Sequence, residues 1–243
     1  MEGFTRHFIL PLARRRGWTS FCEIGASTGL ATDEILRLPI TSYTIIDPGF
    51  DAYLARKYAG DARVIVKKAN SLDVLPTIDG TYDCILIDGD HNWFTVFNEL
   101  RVIRERGLLN HAGMIFFHDV DWPFGRRDMY YQPDTIPQEY RHEYERKGLI
   151  RGQSQLADVG GANAKDCNAV HEGGPRNGVL TAIEDFQSTH PSEYSFCRVR
   201  LEPGLGILQY RQQTFSKKVA FLLLRIKTWI YSCYSLVLRL KGR

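Results

Sequence analysis

Two apolar runs of this chain end in residues that can move protons or hold cations. One is Ile85-Leu86-Ile87-Asp88-Gly89-Asp90-His91, the other Phe116-Phe117-His118-Asp119. Carboxylates and imidazoles at such positions can serve as general acids and bases or ligate a divalent metal. A third stretch, Phe21-Cys22-Glu23-Ile24-Gly25-Ala26-Ser27-Thr28-Gly29-Leu30, runs from apolar residues into a glycine-bearing turn. Eighteen residues after Gly29, the run Tyr43-Thr44-Ile45-Ile46 ends in Asp47. Glycines in such a turn let backbone approach a ligand, and an acid after the next strand is placed for ribose hydroxyls. The turn lacks G-x-G-x-x-G spacing and begins with a carboxylate that would repel phosphate, which argues against a dinucleotide.

These residues need a scaffold, and the hydrophobic pattern supplies one. Strands are predicted at Phe21–Ile24, Tyr43–Asp47, Arg63–Lys67, Tyr82–Asp88 and Met114–His118, with a turn at Gly113. Helices are predicted at Ala31–Leu38, Ala52–Tyr58, Trp93–Glu105 and Val179–Phe186. Apolar runs alternating with helical stretches indicate a parallel sheet with helices on both faces. In an open α/β sheet the carboxyl ends of adjacent strands line one crevice. Asp88, Asp90, His91, His118 and Asp119 are therefore expected to form one polar cluster, although acids and histidines after strands also cap loop amides. Ser195–Leu201 and Ile207–Arg211 flank Glu-Pro-Gly-Leu-Gly and read as a hairpin.

Composition narrows the class. The chain has 243 residues, 44% hydrophobic and 24% charged, as in an ordinary globular protein. A net charge of +3 is too small to indicate nucleic acid. Five dispersed cysteines form no C-x-x-C pair, so neither a zinc knuckle nor a disulfide framework is expected. Phe8-Ile9-Leu10 is broken by Pro11 and Arg14-Arg15-Arg16 rather than continuing as a signal-peptide core, so a cytoplasmic location is expected.

Two regions depart from the α/β rhythm. Residues 120 to 178 are rich in aromatics, arginine, proline and glycine without a clear period, and a segment of that kind is usually functional or disordered. It reads as a lid over an acceptor or as a dimer interface. Residues 214–243 read as a basic amphipathic helix, suited to peripheral membrane contact or to a homodimer interface. Basic residues interrupt its apolar positions, so it holds no clean membrane span.

The pattern Glu-x-Gly-x-x-x-Gly resembles the first motif of class I S-adenosylmethionine (SAM) methyltransferases. Leu86-Ile87-Asp88-Gly89-Asp90-His91, His118-Asp119-Val120 and Gly173-Gly174-Pro175-Arg176-Asn177-Gly178-Val179-Leu180 resemble a small-molecule and sugar O-methyltransferase subgroup. The resemblance spans roughly residues 18 to 211. It implies a Rossmann-like, seven-stranded, mostly parallel sheet as a methyltransferase domain over 1–213, with an acceptor-side insertion at about 120–178.

It also implies SAM binding by Glu23, Gly25, Ala26, Ser27, Thr28, Gly29, Asp47, Asn70, Ser71, Leu72 and Asp88. Asn70 and Ser71 equally suit a loop cap. Mapped onto the subgroup, His91 is the base; the alternative is a polar residue at a helix start. Asp88, His118 and Asp119 take the places of a metal-binding acid and an acidic pair. Histidine in that pair suits Mn²⁺ better than Mg²⁺ and puts the metal in question. Acceptor contacts are expected from His118 and, in the insertion, Trp122, Arg126, Arg127, Tyr130, Tyr131, His171 and Arg176, because aromatic faces stack on rings and arginine forks hold anions. The expected activity is methyl transfer to a hydroxyl of a small, glycosidic acceptor. The rivals are a nucleic-acid or protein methyltransferase and a non-catalytic, membrane-associated SAM-binding protein.

Overall fold

The computed structural model describes residues 1–49, 52–211 and 227–228. The expected C-terminal amphipathic helix lies outside these residues apart from 227–228. Ten strands are described: β1 (Ser20–Ile24), β2 (Ser42–Ile46), β3 (Val64–Lys67), β4 (Tyr82–Ile87), β5 (Leu109–His118), β6 (Met129–Tyr130), β7 (Tyr144–Glu145), β8 (Cys167–Ala169), β9 (Tyr194–Val199) and β10 (Leu205–Tyr210). The helices are α1 (Glu2–Phe4), α2 (Leu10–Arg16), α3 (Leu30–Ile35), α4 (Ala52–Tyr58), α5 (Ser71–Val74), α6 (Trp93–Glu105) and α7 (Val179–Thr189).

Seven strands form one sheet in the order β3-β2-β1-β4-β5-β10-β9. β1 pairs in parallel with β2 and β4, and β4 with β5, while β9 and β10 are antiparallel. The central strands are covered on both faces, so Phe21–Ile24 and Cys84–Ile87 read as continuous buried runs. The edge strand β3 alternates, with Ile65 and Lys67 exposed. This is the seven-stranded Rossmann-like arrangement of class I methyltransferases.

Two compact units are resolved. One comprises residues 1–89 and 98–117, and the other residues 90–97 with the chain from 118 onward. In the first, Phe21 stacks on Tyr43 at 6.0 Å and Trp18 packs edge-on against Phe21 and Phe116. An N-terminal helical segment, α1 through a π-helical stretch at Thr5–Ile9 to α2, buries Phe4, Phe8, Ile9, Leu10, Leu12 and Ala13. The sequence reading placed no element there. Gly113, expected to make a turn before β5, lies inside that strand instead. Its missing side chain admits the Asp83 carbonyl, beside a register shift between Tyr82 and Cys84.

In the second unit the insertion has its own three-stranded sheet, β6-β8-β7. Phe124, Met129 and Leu149 form one small core, and Tyr130, Ile136 and Cys167 another. These strands have only two or three residues each, too short for a period of two to show in the sequence. No helix among the described residues is long and apolar enough to cross a membrane.

Candidate active site

In the first unit the β1–α3 turn is shaped by three left-handed residues, Gly25 (φ 82°), Ser27 (φ 47°) and Gly29 (φ 74°). A side chain on Gly25 would collide with the backbone of Asp88 and Gly89, so this glycine lets the β1 turn cross the end of β4. Asp47 organises the turn: Oδ2 accepts from the Ala26 and Ser27 amides at 3.0 and 3.1 Å, and Oδ1 from the Gly49 amide at 2.9 Å. Its carboxylate remains partly exposed. Each oxygen has two lone pairs, so Oδ2 is filled by the two amides and Oδ1 keeps one to accept from a ribose hydroxyl. Ser27 and Thr28 are exposed beside it, while Ala26 and Gly29 are buried. This donor and acceptor set fits SAM.

Glu23 corrects an expectation. Its side chain is directed into the core rather than toward a cationic ligand. It is 1% exposed, and Oε2 accepts from Thr32 Oγ1 at 2.5 Å and Tyr43 Oη at 2.6 Å, joining β1, α3 and β2. Burial raises its pKa from the ordinary 4.5 to about 7. The nearby Asp88 charge adds to the rise, and the two hydroxyl donors offset part of it. Ser71 is likewise directed inward: its hydroxyl donates to Glu99 Oε1 at 2.5 Å. Asn70 precedes α5 and stays exposed, and Leu72 is half-buried in its first turn. Asp88 continues the β1–β4 pairing by donating its amide to the Ile24 carbonyl at 2.8 Å, and its carboxylate lies 3.3 Å from the Met1 amino group.

In the second unit His91 and Asp119 form an ordered pair, His91 Nδ1 to Asp119 Oδ2 at 3.2 Å. His118 Nδ1 reaches the same oxygen at 2.7 Å. A carboxylate only accepts, so His118 presents Nδ1–H to it, while His91 meets it as an ion-pair contact through its Nδ1 edge. Asp119 adopts a left-handed backbone (φ 58°), which acids tolerate better than most residues. Burial pushes the Asp119 carboxyl up, but the charge of His91 and the hydrogen bond and charge of His118 outweigh it and hold the pKa below its ordinary value. The His91 ring stacks on Phe124 at 5.2 Å, and its Nε2 lies 3.4 Å from the Tyr131 hydroxyl.

His91 is not the cap of α6. Asn92 fills that role, accepting from the Thr95 amide at 2.8 Å. A second partner comes from the insertion. Asp128 Oδ1 accepts from the Trp93 amide at 2.7 Å and the Gly178 amide at 2.6 Å, and Oδ2 from Tyr130 Oη at 3.0 Å. Burial raises Asp128 from 3.8 to about 6 against these three bonds. Sequence reading did not single out Asp128, whose backbone partners Trp93 and Gly178 lie far away in the chain.

Several residues assigned to the acceptor are used within the insertion. Arg127 is 1% exposed, and its guanidinium binds the carbonyls of Ala169, Val170 and Ser154. Tyr130 is buried against Asp128 and also accepts from the His142 amide at 2.9 Å. Arg126 pairs with Glu184 at 2.7 Å. Trp122 is half-buried beneath the Arg151 guanidinium. Tyr131, His171 and Arg176 are exposed, the last with its guanidinium about 5 Å from the Trp93 and Tyr140 rings.

Residues 3–120 match the model of a family described as a methyltransferase domain. Over that span the chain is similar to that family. The S-adenosylhomocysteine-bound methyltransferase PaMTH1 of Podospora anserina is 15% identical and superposes with a TM-score of 0.52, covering 84% of this chain and 77% of that one. A Klebsiella pneumoniae chain provisionally named an O-methyltransferase is 15% identical, with a TM-score of 0.50 over 84% of this chain and 79% of that one. At these identities the likeness concerns the fold. No curated protein matches the chain.

Proposed function

We propose that this methyltransferase acts on a hydroxyl of a small, sugar-like acceptor, with His91 as general base. The observation that carries the reading is the His91–Asp119 pair at 3.2 Å, which sets a carboxylate against the Nδ1 edge of the ring and leaves the Nε2 edge to meet an acceptor. When bound, SAM supplies an already activated methyl group and leaves as S-adenosylhomocysteine. Asp47 Oδ1 accepts a ribose hydroxyl, and the Gly25–Gly29 turn holds the methionine end. His91 Nε2 removes the acceptor's hydroxyl proton as that oxygen bonds the methyl carbon. Asp119 stabilises the resulting imidazolium, the role of the acid in a His–Asp pair. Alignment of donor and acceptor contributes several kcal/mol more. The exposed Tyr131 and Arg176 favour an acceptor with a ring and polar substituents.

From the resemblance, Asp88, His118 and Asp119 are the residues that would hold a divalent cation; one imidazole with two carboxylates suits Mn²⁺ better than Mg²⁺. The cation would lower the pKa of the acceptor hydroxyl. A cytoplasmic site of action accords with this reading.

Incubation with methyl-labelled SAM and a glycan and metabolite extract, with and without chelator, tests it. Label in a small O-methylated product supports the proposal. Label confined to RNA or protein would overturn the acceptor class, and SAM binding without turnover would overturn catalysis.

A further inference from the structure

Tyr131 is placed unlike the tyrosine beside it. Its neighbour Tyr130 is buried and anchored on Asp128, whereas Tyr131 is 57% exposed yet brings its hydroxyl to 3.4 Å from His91 Nε2. The two rings meet at 5.9 Å between centroids and 59° between planes. Phe124 covers another part of the imidazole, leaving His91 only 7% exposed. Tyr131 follows β6, whose Met129 amide donates to the His91 carbonyl at 3.0 Å, so the backbone carrying the phenol is tied to the residue it covers.

Resting on the reading of His91 as base, we infer that Tyr131 is a specificity-determining cover whose hydroxyl holds the acceptor's place on His91 Nε2. Nε2, on the edge of the ring away from Asp119, is the atom an acceptor hydroxyl must reach, and the phenol already stands against it. A bond of 3.4 Å is long, and an exposed side chain can turn away without opening a core. An acceptor that hydrogen-bonds Nε2 replaces the phenol. Water alone or a molecule without a hydroxyl leaves the cover closed. The displaced ring then offers a face for a sugar or another ring to pack against.

Carbethoxylation of the full chain by diethyl pyrocarbonate, with each histidine followed by peptide mass spectrometry, tests the cover without substrate or SAM. Tyr131→Ala should speed modification of His91 at least about tenfold while exposed His111 and the thermal midpoint stay unchanged. Tyr131→Phe keeps the ring and should give a smaller increase. An unchanged His91 rate in Tyr131→Ala would overturn the cover, whatever the enzyme's activity. In the labelled-extract assay, Tyr131→Phe should lower the acceptor KM about two- to fivefold by removing the competing bond. A hundredfold loss of kcat in that variant would make Tyr131 a proton carrier and overturn the inference. Faster modification in a protein that methylates no hydroxyl would leave the cover standing and remove the role of His91 as methyl-transfer base.

Discussion

His91 Nδ1 and Asp119 Oδ2 stand 3.2 Å apart, both nearly enclosed, and Asp119 reaches this position through a left-handed backbone. The relationship places the Asp119 carboxylate against the Nδ1 edge of the ring and leaves the Nε2 edge toward Tyr131. His91→Ala should lower turnover about 10²–10⁴-fold while SAM affinity by calorimetry stays within a few-fold. Asp119→Asn should also slow turnover, because its amide can stabilise the wrong imidazole tautomer. Retention of full turnover in His91→Ala would remove the base assignment.

Asp47 gives the cleanest test of the cofactor side. Asp47→Ala should weaken SAM binding by about 1.5–3 kcal/mol, the scale of a hydrogen bond to a charged group. Asp47→Asn should weaken it less, since an amide oxygen still accepts from the turn. Gly25→Val is a poorer probe. Its side chain would strike the Asp88–Gly89 backbone, so it should lower thermal stability before it reports on any ligand.

Glu23 predicts a pH dependence of stability. Its pKa is raised from 4.5 to about 7 in the fold, so between those values the native state holds a proton that the unfolded chain releases. Stability should therefore fall as pH rises through this window and level off above it, with this group contributing about 3 kcal/mol of decline. Glu23→Gln keeps an oxygen for Thr32 and Tyr43 but does not titrate. Urea unfolding of the variant should show a flatter profile from pH 4.5 to 7; an identical slope would place the titration elsewhere.

If a cation is held by Asp88, His118 and Asp119, chelation should stop turnover, Mn²⁺ should restore it better than Mg²⁺, and Asp88→Ala should lose the response. Full activity in chelator would remove the metal and leave His91 and Asp119 to act alone.

The sheet was legible because each central strand is a local apolar run. Ala52–Tyr58 and Trp93–Glu105 have the limits that their helical period indicates, and β1, β2 and β4 lie within a residue of the expected bounds. The N-terminal segment was harder to read because Pro11 and three arginines interrupt its apolar spacing. Residue type also left direction open. Glu23 and Arg127 carry charges that could have met a ligand, but their partners are core hydroxyls and backbone carbonyls supplied by distant parts of the chain. His91 and Asp119 could be nominated from their places after two strands. Their contact depends on a backbone conformation, the left-handed Asp119, that residue type does not specify.

The Asp128 carboxylate has a consequence for recombination. It accepts the first amide of α6 from thirty-five residues downstream, while Met129 beside it binds the His91 carbonyl. The insertion therefore cannot be exchanged as a detachable cassette. A chimera that grafts another acceptor loop over residues 120–178 must bring an acid to the place of Asp128. Without one, the start of α6 loses its partner beside His91, so a graft meant to change the acceptor would also disturb the residue proposed as base.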